Sequence, residues 1–198
     1  RYKHIEEVAL ANEKLATIVE KSLQRGNMPI VLGGDHSIAV GAILGTQSVY
    51  KNIGVIWMDA HGDFNTRETT LTGNLHGMSL AASAGIGALE MAAFKSEDVN
   101  YVNPEKVVLI GVRDLDPEEA KLIKKSGVKV FTIADIDNYG IKYVMERTLD
   151  IVESGTEGFH MSFDMDVMNP TEAPGVGTPV NGGLTFREAH FAAEIISQ

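Results

Sequence analysis

Apolar side chains recur on a helical period through residues 4–25, at Ile5, Val8, Leu15, Val19 and Leu23, and Gly26 stops the run. After this opening helix the pattern changes to short apolar runs bounded by Gly, Pro and acidic residues. "MPIVLGG" (28–34), "GVIWMDA" (54–60), "KVVLIGV" (106–112), "VKVFTI" (128–133) and "GFHMSFDMD" (158–166) read as five buried strands. Between them lie helical stretches: the small-residue run 37–50, "MSLAAS" (78–83), a helix opened by Asp116 and Pro117, and 141–154 closed by Gly155. A last helix starts at Thr185. Polar loops run from 60 to about 77 and, rich in Pro and Gly, from 170 to 183.

Strands apolar on both sides that alternate with helices predict an α/β fold, a three-layer α/β/α sandwich around a mainly parallel sheet. The chain has 198 residues and no visible repeat, linker or low-complexity tract, so residues 1–198 are expected to form one domain. It begins at Arg1 inside a helical pattern and stops at Gln198 inside another, which predicts a fragment of a longer chain.

Composition narrows the functional classes. The net charge is −10 and no Lys/Arg-rich run occurs, which argues against nucleic acid or an anionic membrane as partner and is compatible with a cationic substrate. There is no cysteine, so any metal must be held by His, Asp and Glu. No apolar run is long enough to span a bilayer and no signal peptide is visible, so a cytoplasmic protein is expected.

The chemistry concentrates at strand ends, where α/β folds bind ligands. Asp35 and His36 follow the first strand, Asp59, His61 and Asp63 the second, Asp114 and Asp116 the third; Asp164 and Asp166 close the fifth. Carboxylates crowded as Asp59 and Asp63 are do not ionise together without compensating charge. If His36, Asp59, His61, Asp63, Asp164 and Asp166 converge, they are too many ligands for one catalytic zinc. They suit two divalent ions sharing carboxylates, and the oxygen-rich set favours Mn²⁺. Asp-x-Asp after a strand is also a common turn and cap pattern; it is the three motifs together that favour metal. His76 has no acidic neighbour at ligand spacing and reads as an acid/base group, or else as a satisfied structural histidine. His4, His160 and His190 are expected to be structural or exposed. A phosphate-binding reading of the glycines in "VLGGDHS" and "PGVGTP" lacks the Lys-Ser/Thr it would need.

"GGDHS" (33–37), "DAHGDFNT" (59–66), "TGNLHGM" (72–78) and "SFDMDVMNPTEAPGVGTP" (162–179) together resemble the ureohydrolases, the arginases in particular, over about residues 28–190. The resemblance implies two Mn²⁺ per subunit, one held by His36, Asp59, Asp63 and Asp164, the other by Asp59, His61, Asp164 and Asp166. It implies attack of a metal-bridging hydroxide on the guanidinium of L-arginine, giving L-ornithine and urea. Asp63 would orient the hydroxide and His76 would shuttle protons. Asn65, Thr70, Thr72 and Asn74 would recognise the α-carboxylate and Asp116 the α-ammonium, with Thr178 near the guanidinium. A homo-oligomer, trimer or hexamer, is the family's habit. Val167 and Asn169 depart from the family pattern beside Asp166, and the family's first strand and C-terminal strand, with a guanidinium-gripping glutamate, are missing. The alternatives are an agmatinase or other ureohydrolase such as formimidoylglutamase, a metal-binding fragment without turnover, and a metal-dependent deacetylase of related fold.

Overall fold

The computed structural model describes residues 2–92 and 99–197. Six α-helices and four strands are formed among these residues: α1 (Ile5–Gln24), α2 (Ala39–Gln47), β1 (Gly54–Met58), α3 (Ser79–Ser83), β2 (Val107–Val112), α4 (Pro117–Ser126), β3 (Lys129–Thr132), α5 (Ile133–Val152), β4 (Phe159–Phe163) and α6 (Phe186–Ile196). The strands make one parallel sheet in the order β3-β2-β1-β4, with Val55 opposite both Val107 and His160. Successive β1 side chains face opposite sides. Ile56 and Met58 pack with Val108, Ile110 and residues of α5 and α6; Val55 and Trp57 pack with Val107, Leu109, Ala39, Ile43 and Leu80. The helices therefore cover both faces and the expected three layers are present.

Two details depart from the sequence reading. Residues 28–34 form no strand: Met28, Ile30 and Leu32 are exposed to 87%, 82% and 91%. An apolar run becomes a strand only where another backbone completes its hydrogen bonds, and β4 is the edge of the sheet among the described residues. Residues 29–34 and 160–163 both line a cavity of 1160 Å³, and no strand pairing joins them. The second departure is an added helical segment over 133–139: the expected helix from 141 is present, and α5 joins the two across a kink at Gly140. Thr132 and Asp135 form a capping box, with Thr132 Oγ1 accepting from Asp135 N at 3.3 Å, and the helix breaks at Gly140 (φ 79°, ψ 152°).

Outside this frame α1 lies on α2 at backbone distance. A Cβ on Gly41 would sit 2.6 Å from the Asn12 carbonyl oxygen, and one on Gly45 2.7 Å from that of Ala16. Asn12, fully buried, accepts from Gly41 N at 3.1 Å and donates to the Met91 carbonyl at 3.3 Å, tying α1 to α2 and to the 89–92 turn. Because α2 begins directly after His36–Ile38, this contact also locates the loop that carries His36. Gly41→Ala is expected to destabilise the protein by about 1–3 kcal/mol through overpacking, read as a lower midpoint in urea at unchanged slope.

Candidate metal centre

β1 and β4 are neighbours, so the turns that follow them deliver their side chains to one place. After β1, Asp59 N still donates to the Ile110 carbonyl at 3.0 Å; Asp59 Oδ1 then accepts from His61 N at 2.8 Å, closing a tight turn. Asp63 follows in the left-handed region (φ 47°), and its carbonyl accepts from Leu80 N and Ala81 N at 3.0 and 3.2 Å, which hold that unusual conformation. After β4, Asp164 N donates to the Met58 carbonyl at 2.9 Å, and Asp164 Oδ1 accepts from Asp166 N at 2.9 Å. Asp166 is thereby turned back beneath the first loop, where its Oδ1 accepts from Ala60 N at 3.2 Å.

The result is two groups of converging donors. His36 Nδ1 lies 3.1 Å from oxygens of Asp59, Asp63 and Asp164 alike. His61 Nδ1 lies 3.3 Å from Asp59 and 3.1 Å from Asp166. His36, Asp59 and Asp164 form one set with ligand spacing and Asp59, His61 and Asp166 another. Asp59 belongs to both; Asp164, expected from the resemblance to bridge as well, falls in the first alone.

The chemistry of the set fits a divalent cation. His36 Nδ1 is buried and satisfied by no hydrogen bond, although three carboxylates surround it. One N–H cannot point at three acceptors, whereas one cation can accept from all four atoms. The other ring nitrogen is engaged: His36 Nε2 lies 2.8 Å from Ser162 Oγ, and an Nε2–H donated there leaves the Nδ1 lone pair facing the carboxylates. Trp57 supports the same arrangement twice. Its ring stacks on His36 at 4.1 Å between centroids, and its Nε1–H donates to Asp59 Oδ2 at 2.9 Å.

Protons take the cation's part in the metal-free protein. Burial disfavours charge on His36, yet Asp164, Asp59 and Asp63 outweigh it and push its pKa up to about 12. Burial likewise opposes charge on His61, but Asp166 and Asp59 raise it to about 10. Asp63 is pushed up to about 7, by burial first and then by the Asp59 charge. Asp59, buried as deeply, is held below the usual range by His36 and His61. The two neighbouring acids thus divide into one that stays ionised and one that takes a proton near neutrality.

The remaining expected site residues are distributed as follows. Asn65, Thr72, His76, Asp116 and Thr178 line the same 1160 Å³ cavity as the six candidate ligands; Thr70 and Asn74 are not among its lining residues. Asn74 Oδ1 instead accepts from Lys3 at 3.0 Å, and Thr70 Oγ1 accepts from Thr72 N and Gly73 N at 3.3 and 3.0 Å. Asn65 donates to Asp116 Oδ2 at 3.0 Å, which leaves its buried Oδ1 without a partner. Thr178 Oγ1 donates to Asp166 Oδ2 at 3.1 Å. His76, without an acidic neighbour in the chain, has one in space: Asp35 Oδ2 lies 3.0 Å from its Nδ1 and raises its pKa. Val167 is buried within the core, and Asn169 accepts from Gly182 N at 3.3 Å, so both departures from the family pattern serve the packing of this loop.

Four residues of this region escaped the sequence reading. Ser162 and Trp57 each stand two positions before a candidate ligand on the same strand, so alternation alone could have marked them. Glu119 is buried at the third position of α4; it accepts from Phe64 N at 2.8 Å and Asp116 N at 3.3 Å, and burial pushes its pKa up to about 7. The Glu three residues after Asp116 was a legible capping-box signal. Arg113 left no such sign.

A three-layer α/β/α protein with two adjoining, acid-rich groups of candidate cation ligands defines a restricted class. A family model described as the arginase family matches residues 2–198. The chain is 49% identical over 198 residues to an arginase of Bacillus caldovelox, covering 100% of this chain and 66% of that protein. It is 50% identical over 194 residues to an arginase of Bacillus subtilis strain 168, covering 98% and 65%. Its fold superposes on the native structure of the Bacillus caldovelox arginase with a TM-score of 0.94 at 50% identity, over 100% of this chain and 66% of that one. For Entamoeba histolytica arginase in complex with L-ornithine the TM-score is 0.92 at 31% identity, over 100% and 67%. The chain belongs to the arginase family. It spans about two thirds of the length of the curated relatives it matches, 66% and 65% for the two named.

The raised pKa values set a pH dependence. His36 and His61 bind protons more tightly folded than their ordinary 6.5. The stability they lend the metal-free protein is therefore complete below about pH 6.5 and falls as pH rises, His61's share being lost through about 10 and that of His36 through about 12. Asp63, raised from 3.8 to about 7, acts in the same direction at lower pH. Thermal unfolding of the metal-free protein is expected at lower temperature at pH 9 than at pH 6. Mn²⁺ binding at pH 7, measured by calorimetry in buffers of different ionisation enthalpy, should release on the order of two protons.

Proposed function

We propose that the protein, as one ureohydrolase-type domain over residues 1–198, takes part in the Mn²⁺-dependent hydrolysis of L-arginine to L-ornithine and urea. The observation that carries this reading is the convergence of His36 Nδ1 on three carboxylate oxygens, each at 3.1 Å, beside a second group that shares Asp59. His36, Asp59, Asp63 and Asp164 would hold one Mn²⁺, and Asp59, His61 and Asp166 the other. Ions held there would supply a water of lowered pKa and the charge that keeps the acids ionised.

The protein's own groups do the rest. A guanidinium keeps its charge in any protein setting and resists nucleophiles because that charge is delocalised. A cavity lined by Asp63, Asp116, Asp164 and Asp166 favours its entry. Asp63, whose Oδ2 lies 3.1 Å from His36 Nδ1 within the first group, is suited to orient the attacking water. His76, its basicity raised by Asp35, is suited to deliver a proton to the departing amine. Asn65, expected to read the α-carboxylate, instead donates its amide to Asp116, so its free Oδ1 and Asp116 form an acceptor corner suited to the α-ammonium. Thr72 Oγ1 accepts from Asn74 N at 3.2 Å, so its proton is free to donate, which suits the α-carboxylate. Assembly into a homo-oligomer in the cytoplasm belongs to the same reading. Among the described residues no helix is long and apolar enough to cross a membrane.

Urea release from L-arginine by the full chain is the direct test. Activity should vanish on chelation and return with Mn²⁺; Mn²⁺ binding without any urea release would leave a metal-binding protein without turnover. Thr72→Val separates arginine from agmatine, which lacks the carboxylate. It is expected to lower kcat/KM for arginine by about tenfold or more while that for agmatine changes less than about twofold. Equal losses on both would count against a carboxylate-reading loop.

A further inference from the structure

Arg113 stands one residue past β2 with its guanidinium turned into the loops behind the cation centre, and it forms no ion pair there among the described residues. Its hydrogen bonds go to backbone carbonyls. Nη2 donates to Asp166 and Val180 at 2.7 Å each and to Met168 at 3.2 Å; Nη1 donates to Val167 and Gly111 at 3.2 Å each; Nε donates to Asn181 at 3.2 Å and Val180 at 3.3 Å. Its own backbone N–H donates to the Ala60 carbonyl at 2.9 Å, between Asp59 and His61. The side chain therefore joins the turn carrying Asp166 to the loop carrying Thr178, while the backbone of the same residue holds the loop carrying Asp59 and His61.

These loops have little regular structure to hold them. Residues 165–167 are a single turn, and 170–183 form no helix or strand; the isolated bridge of Met168 with Leu184 only flanks them. Their carbonyls need donors, and a planar guanidinium offers five N–H groups in a rigid fork. Fixing the Asp166 and Val180 carbonyls fixes the backbone from which Asp166 Oδ2 and Thr178 Oγ1 meet. A positive charge beside a cation centre is electrostatically unfavourable for that centre, so its presence there calls for a geometric reason.

We propose that Arg113 is a positioning residue for the cation group formed by Asp59, His61 and Asp166, setting the aim of Asp166 and Thr178 through the carbonyls it clamps. The inference rests on the reading of that group as a metal site. A role through charge alone makes the opposite prediction to a role through geometry: removing the charge should tighten cation binding if charge is what matters and weaken it if aim matters.

Arg113→Lys keeps the charge but has three donors on one atom, too few to span both loops. Arg113→Met removes the charge and keeps the bulk. Mn²⁺ binding to the full chain is followed by calorimetric titration, and spin coupling between bound ions by electron paramagnetic resonance. The parent is expected to hold a coupled pair. Both variants are expected to bind one Mn²⁺ about 10–100-fold more weakly, with the coupled spectrum replaced by that of an isolated ion. Unchanged binding in the lysine variant, or tighter binding in the methionine variant, would overturn the proposal. So would loss of folding in both that excess Mn²⁺ does not restore, since Arg113 would then belong to the scaffold. A parent that binds no ion pair fails the functional reading itself, which is a distinguishable result.

Discussion

Everything in this structure is arranged around a repulsion. Asp59, Asp63, Asp164 and Asp166 are gathered after two adjacent strands, with 1%, 8%, 26% and 4% of the side chain exposed, so water screens all but Asp164 poorly. Such a gathering persists only if positive charge is placed among the oxygens, and the two imidazoles alone supply it imperfectly. His36 Nδ1 has three carboxylate neighbours and can satisfy at most one as a donor. The arrangement suits a species with more coordination positions than a proton, in keeping with the proposed cation.

The fold provides the rigidity that this crowding demands. β1 is buried along its whole length, and the parallel register with β4 sets the two acidic turns side by side. Trp57 and Ser162 point from those same strands onto Asp59 and His36, so the candidate ligands are aimed by groups with little freedom of their own. Glu119 performs a similar service for the following stretch, linking Phe64 N to the start of α4. Of the groups proposed to face substrate, Asn65 is buried and joined to Asp116, whereas Thr72 lies in an exposed loop that holds its own turn.

How much of this was legible beforehand depended on the range of each interaction. The Asp-x-His-x-Asp and Asp-x-Asp turns are local, and their spacing announced both the strand ends and the groups of candidate metal ligands. His36 could be read because it follows a strand-like run, although that run, 28–34, does not become a strand here. Pairing is a property of two backbones, and an apolar pattern records only one of them. The Asp35–His76 contact was invisible for the same reason, its partners being 41 residues apart. Arg113 was hidden more thoroughly. An arginine beside a cation centre contradicts simple charge matching, and carbonyl acceptors leave no mark in a sequence.

Asp59 is common to both groups of candidate ligands. Two ions placed there could not be independent, because each would draw on the same carboxylate charge. Filling one position spends part of the attraction available to the other, yet it also removes the proton competition and fixes the shared oxygen atoms. Whichever of these effects is larger, the influence is mutual and equal in free energy, so cooperativity of either sign is written into a single side chain.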